Sequence, residues 1–224
     1  MFTRKQLIQL IVPLVIEQFL AMAVGAADTV MVASCGEAAV SAVSLVDSIS
    51  VLLINIFSAL ATGGAVIAAQ YIGRQDAANA RTAAKQLIYV VSFLSVLIAA
   101  AALIFRRSIL SMVFGHIDAE VMDNALTYFW ISAVSYPLLA VYNGSAALFR
   151  SMGNSKISML VSLLMNGINI VGNAILIYGF NMGVAGAATA TLFARILAAV
   201  LMMVLLRNPR YVLSVRGLHK IRVR

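Results

Sequence analysis

Six stretches of this chain are apolar for longer than a membrane is thick, and that fact sets the fold class. A helix crosses about 30 Å of hydrocarbon with about 20 residues. The windows 7–33, 40–72, 86–106, 124–149, 157–180 and 183–206 all reach that length. Backbone polar groups find no water in lipid, so such windows fold as helices that close their own hydrogen bonds. The sequence therefore predicts an all-α membrane protein: a six-transmembrane-helix bundle over 1–206, followed by a basic segment over 207–224. Composition agrees, with 62% hydrophobic and 11% charged residues where soluble domains average about 45–50% and about 25%.

The charges lie between the windows and set the orientation. Arg4, Lys5, Arg74, Arg81, Lys85, Arg150, Lys156 and six residues from Arg207 to Arg224 fall on one side of a six-span zigzag. They make thirteen of the sixteen basic residues; the other side has Arg106 and Arg107 beside Asp118, Glu120 and Asp123. An excess of Lys and Arg marks cytoplasmic loops, so both termini are expected in the cytoplasm of a multi-pass protein of the plasma (inner) membrane. The net charge of +8 then reflects topology, and no nucleic-acid partner is expected. The basic, apolar N-terminus has the outline of a signal peptide. Pro13 and Glu17 interrupt its apolar run and more spans follow, so it is read as a retained first helix. NPRYVLSVRGLHKIRVR (208–224) is too short and too basic for a seventh span. It reads as a cytoplasmic tail or the start of a linker, with anchoring to membrane lipid as the alternative.

No catalytic pattern stands out. The chain has two histidines, His116 and His219, and no HExxH, Ser-His-Asp or phosphate-loop signature, so no enzyme and no cofactor are expected. The single cysteine, Cys35, excludes an internal disulfide.

The informative residues are polar ones inside the spans. Glu17, Asp28, Asp47 and Arg195 are each costly in hydrocarbon and should face a partner, a cavity or water. At 1.5 Å per residue, Glu17 and Arg195 lie at similar depths on antiparallel helices, which predicts a structural ion pair. Asp47 is expected near the outer end of its helix and partly wet. Asn166, Asn169 and Asn173 share one face of the fifth span at spacings of three and four. Depth counting places Asp28, Asn169, Asn173 and Thr191 near one layer. Such a layer suits a hard cation, a carried proton, or plain interhelical hydrogen bonding. The small-residue runs SALATGGAVIAA (58–69) and GVAGAATAT (183–191) predict close helix packing, and Pro137 predicts a kink in the fourth span.

Four stretches resemble, in order, the MATE (multidrug and toxic compound extrusion) family. They are ADTVMVASCGEAAVSAVSL (27–45), GGAVIAAQYIGRQD (63–76), FRSMGNSK (149–156) and NIVGNAILIYGFNMGVAGAATAT (169–191). The resemblance implies an antiporter that exports small organic cations and drugs, driven by Na⁺ or H⁺ entry. It also implies a cation site of Asp28, Asn169, Asn173, Thr191 and the backbone carbonyl of Ala187. Asparagine at 173, where members with a proton-coupled N-terminal lobe carry aspartate, resembles the branch in which these groups form a cation site; this favours Na⁺ over proton coupling through an acidic pair, and H⁺ through Asp28 alone stays open. Family members have two six-helix lobes and about twelve helices. This chain resembles the N-terminal lobe, so a second six-helix lobe is an implied partner. Two other readings stand beside this one: a flippase for lipid-linked oligosaccharides of the same superfamily, and a non-transporting truncated fragment. The flippase reading calls for a cationic cavity, to which the spans contribute Arg195.

Overall fold

The structure, a computed structural model, describes residues 4–215. Six long helices follow one another with short turns: α1 (Arg4–Ala33), α2 (Glu37–Gly73), α3 (Ala77–Phe114), α4 (Ala119–Ser151), α5 (Ser155–Asn173) and α6 (Gly183–Leu206). Among the described residues there is no strand, and all six helices are long and apolar enough to span a membrane. A π-helical turn, Ala174–Gly179, extends α5 before the turn into α6.

Several helices outrun their apolar windows. The third was expected over 86–106 and runs from Ala77 to Phe114. Hydropathy marks the part that suits hydrocarbon, whereas helix hydrogen bonding continues through Arg81, Lys85, Arg106 and Arg107 into the interface. At 38 residues α3 is about 57 Å long, nearly twice the hydrocarbon thickness.

The core sits around α4, which packs against α2, α3 and α6. Its sequence explains the place. Ser132, Ala133, Ser135, Ala140, Gly144, Ser145, Ala146 and Ala147 are buried and let neighbours approach, while Tyr128, Phe129, Tyr136 and Phe149 fill the spaces between them. The helix continues through Pro137. By contrast α1 stands at the edge, packed mainly on α5 with a thin contact to α2. Ile11, Val15, Phe19, Met22 and Val30 face outward from it.

The turn before α3 is fastened by Asp76. Its carboxylate accepts from the Asn79 backbone N–H (3.0 Å) and side-chain amide (2.6 Å), capping the first turn. Those hydrogen bonds, the backbone one foremost, hold its pKa below the usual carboxylate range. At the same end of the bundle the segment expected as a tail is folded back from Arg207 to Val215. The Val215 N–H donates to the Leu206 carbonyl (3.0 Å), Arg81 Nε donates to the Val212 carbonyl (3.0 Å), and Tyr211 meets Phe149 edge to face. Leu213 and Val215 are fully buried. The rest of the expected tail, 216–224, lies outside the described residues.

Candidate cation site

α5 and α6 cross closely enough to bring polar side chains into contact. A Cβ placed on Gly172 would lie 3.0 Å from that of Ala190, and one on Gly186 would lie 3.1 Å from the Leu176 backbone carbon of the π-helical turn. Side chains larger than glycine at these positions would push α6 away. With the helices this close, Asn169 Nδ2 donates to Thr191 Oγ1 at 2.9 Å, and Thr191 Oγ1 donates to the Ala187 carbonyl at 3.0 Å. From the edge helix, Asp28 reaches across α5 and accepts from Asn173 Nδ2 at 2.6 Å. Asn173 Nδ2 also lies 3.4 Å from Asn169 Oδ1. Asn173 is fully buried and Asn169 nearly so, while Asp28 and Thr191 are half-buried. The structure thus brings together all five groups singled out in the sequence: Asp28, Asn169, Asn173, Thr191 and the Ala187 carbonyl.

The Asn169 amide is better paired turned over, because with Nδ2 toward Thr191 its oxygen would face the Asp28 carboxylate; turned, Nδ2 donates to both Asp28 oxygens (2.9 and 3.2 Å) while Oδ1 accepts from Thr191 (2.9 Å). Asn173 Oδ1 is buried and has no hydrogen-bond partner, a condition that costs about 1–3 kcal/mol. The carboxylate, the two amide oxygens, the hydroxyl and the backbone carbonyl are hard oxygens, the ligand type that alkali and alkaline-earth cations take. Among the described residues no three His, Cys, Asp or Glu side chains gather into a softer or more highly charged metal centre. The residues present therefore fit a single monovalent cation, or a proton shared between Asp28 and Asn169.

The expected pair of Glu17 and Arg195 is not formed. Glu17 lies 3.9 Å from Arg150 and accepts from Tyr142 Oη (3.2 Å) and Ser158 Oγ (3.3 Å). α1 starts well below its neighbours, so Glu17 falls opposite the first turn of α5 and the last turns of α4, short of the depth of Arg195. Arg195 instead donates to Ser135 Oγ on α4. Asp47 is half-buried, in keeping with a partly wet carboxylate, and Tyr128 Oη donates to it at 3.2 Å. Tyr128 escaped the sequence reading: a tyrosine inside an apolar helix carries no spacing signal that distinguishes a partner from core. Asn166 is buried one turn below Asn169, with its Nδ2 unpaired and outside the cluster.

A bundle of membrane-spanning helices with a lone carboxylate held among amides and a hydroxyl defines a class: a multi-pass membrane protein with a polar site buried in its helices. The MatE family profile matches residues 13–175, and the chain belongs to that family. It is 32% identical over 200 residues to the uncharacterized transporter YisQ of Bacillus subtilis, with 88% of this chain and 44% of that protein aligned. It is 28% identical over 203 residues to the probable multidrug resistance protein NorM of Thermotoga maritima, over 88% and 43% of the two chains. In fold it superposes on a MOP superfamily transporter from Pyrococcus furiosus with a TM-score of 0.90, covering 98% of this chain and 48% of that one at 24% identity. The chain spans less than half the length of the curated relatives it matches.

Proposed function

We propose that this chain is the N-terminal lobe of a cation-coupled antiporter that exports organic cations, and that the Asp28 cluster binds the coupling ion, Na⁺ or H⁺. The observation that carries the reading is the convergence of the Asp28 carboxylate, the amide groups of Asn169 and Asn173, the Thr191 hydroxyl and the Ala187 carbonyl, with the Asn173 oxygen buried and unpaired. A positive charge there gives these oxygens a common partner, Na⁺ by coordination and a proton by letting the Asp28 carboxyl donate to an amide oxygen. Without the ion, Asn169 Nδ2 donates to the bare carboxylate. The single carboxylate favours one monovalent charge per cycle. Relatives named as multidrug resistance and multidrug export proteins support drugs and organic cations as substrates.

We infer that ion binding reaches the packing through α1. α1 is the edge helix, and among the described residues it is tied to the bundle through Asp28 on Asn173 and through Glu17 on Tyr142, Ser158 and Arg150. Neutralising Asp28 weakens the first of these ties and shifts α1 between two dockings on α5. Drug affinity, formed against a second six-helix lobe, changes through that linkage. The lipid-linked sugar reading is less well supported, because Arg195, the basic residue of the spans, is tied to Ser135. The basic ends of the bundle support an orientation with both termini in the cytoplasm.

The test is export of a fluorescent organic cation from vesicles holding the complete two-lobe transporter, driven by an imposed Na⁺ or proton gradient. Asp28→Asn is expected to remove gradient dependence in both cases. Unchanged coupled export in that variant rules the reading out.

A further inference from the structure

The seam between α1 and α5 carries the pattern of the ion site twice. The two helices run in the same direction and pack on each other. On α1, Glu17 stands eleven residues before Asp28; on α5, Ser155, Ser158 and Ser162 stand eleven residues before Asn166, Asn169 and Asn173. Eleven residues close three helical turns, so each earlier residue shares a face with its counterpart, about 16 Å nearer the end that carries Arg150. The contacts keep this register. Asp28 meets Asn169 and Asn173, and Glu17 accepts from Ser158 Oγ at 3.3 Å.

The Glu17 cluster is made of the same kind of atoms as the Asp28 cluster. Glu17 also accepts from Tyr142 Oη at 3.2 Å, and Tyr142 is within hydrogen-bond reach of Ser162. Ser158 and Ser162 are buried. One turn before Ser158, Ser155 is 1% exposed and its Oγ has no partner; Asn166 Nδ2, between the two clusters, is also buried and unpaired. A carboxylate among hydroxyls is a hard-oxygen set suited to a hard cation. The positive charge now beside it is Arg150, on the last turn of α4, with Nη1 3.9 Å from Glu17 Oε1 and the side chain 25% exposed. A charge-assisted hydrogen bond is about 2.7–2.9 Å long, so the guanidinium neutralises Glu17 without tightly occupying its oxygens. We propose that Glu17, with the hydroxyls of Ser155, Ser158, Ser162 and Tyr142, is a second station for a monovalent metal cation, entered when Arg150 swings out to water. The proposal rests on the reading that such an ion is carried, and adds where it stops between Asp28 and the Arg150 end. With Arg150 in place the chain binds one ion, at Asp28.

Equilibrium binding of ²²Na⁺ to the purified full chain separates the two stations. Asp28→Asn silences the first. Adding Arg150→Gln should bring saturable binding back, and adding Glu17→Gln to that pair should abolish it. Ser158→Ala in place of Glu17→Gln should weaken it about tenfold, the worth of one lost ligand to a charge. Arg150→Met, which removes the charge and keeps an apolar stem, repeats the measurement, and thermal unfolding identifies which of the two Arg150 variants is folded. Absence of saturable binding in a folded chain lacking both Asp28 and Arg150 overturns the proposal, as does binding that survives Glu17→Gln. The reading of Asp28 fails by a different result: saturable binding in Asp28→Asn with Arg150 intact.

Discussion

At the scale of single residues, the lone carboxylate decides the chemistry. Asn173→Asp places a second carboxylate against Asp28, and two carboxylates sharing a site hold a proton between them. That variant is expected to lose Na⁺ preference in favour of H⁺, read as Na⁺-independent, proton-driven transport by the complete transporter. Asp76 makes a separate prediction. Its folded-state pKa lies below the ordinary carboxylate range, so its capping contribution is complete above that range and is lost as the pH falls through the folded-state value. Asp76→Ala should therefore lower the thermal midpoint at neutral pH, and the difference from wild type should shrink on strong acidification. The Asp28, Asn169, Asn173 and Thr191 cluster was legible in the sequence because the helical rise is constant and the four lie in spans whose ends are well marked. The Glu17 assignment failed by the same arithmetic. Counting assumed that all helices start at one level, and α1 does not.

At the scale of elements, the close crossing of α5 and α6 is what makes the site. Gly186 packs on the backbone of the π-helical turn, 3.1 Å from the place of a missing Cβ, and backbone yields less readily than a side chain. Gly186→Val is expected to cost about 1–3 kcal/mol, measured by thermal unfolding in detergent. It should also weaken ion binding, because α6 carries Thr191 and the Ala187 carbonyl. The number of helices and the small-residue packing of α6 were readable from hydropathy and composition. The π-helical turn after Asn173 was not, since one extra residue per turn leaves no trace in an apolar pattern. The folded-back segment was missed for a related reason. Leu213 and Val215 are too few for a hydropathy window, yet tertiary packing buries both completely.

At the scale of the whole molecule, the charge asymmetry and the site set two tests. Cys35, the single cysteine, sits in the turn between α1 and α2. With both termini in the cytoplasm it should react with a membrane-impermeant maleimide added to intact cells. Labelling that requires permeabilised membranes would invert the orientation. The central claim is that one ion binds at Asp28, and the most direct measurement is equilibrium binding of radioactive ²²Na⁺ to the purified chain as the pH is varied. The account predicts saturable binding that weakens as the pH falls, because proton and Na⁺ compete for one carboxylate. Asp28→Asn should abolish it, and Asn173→Ala should weaken it about tenfold, the worth of one lost ligand to a charge. Saturable ²²Na⁺ binding that survives Asp28→Asn would contradict the account.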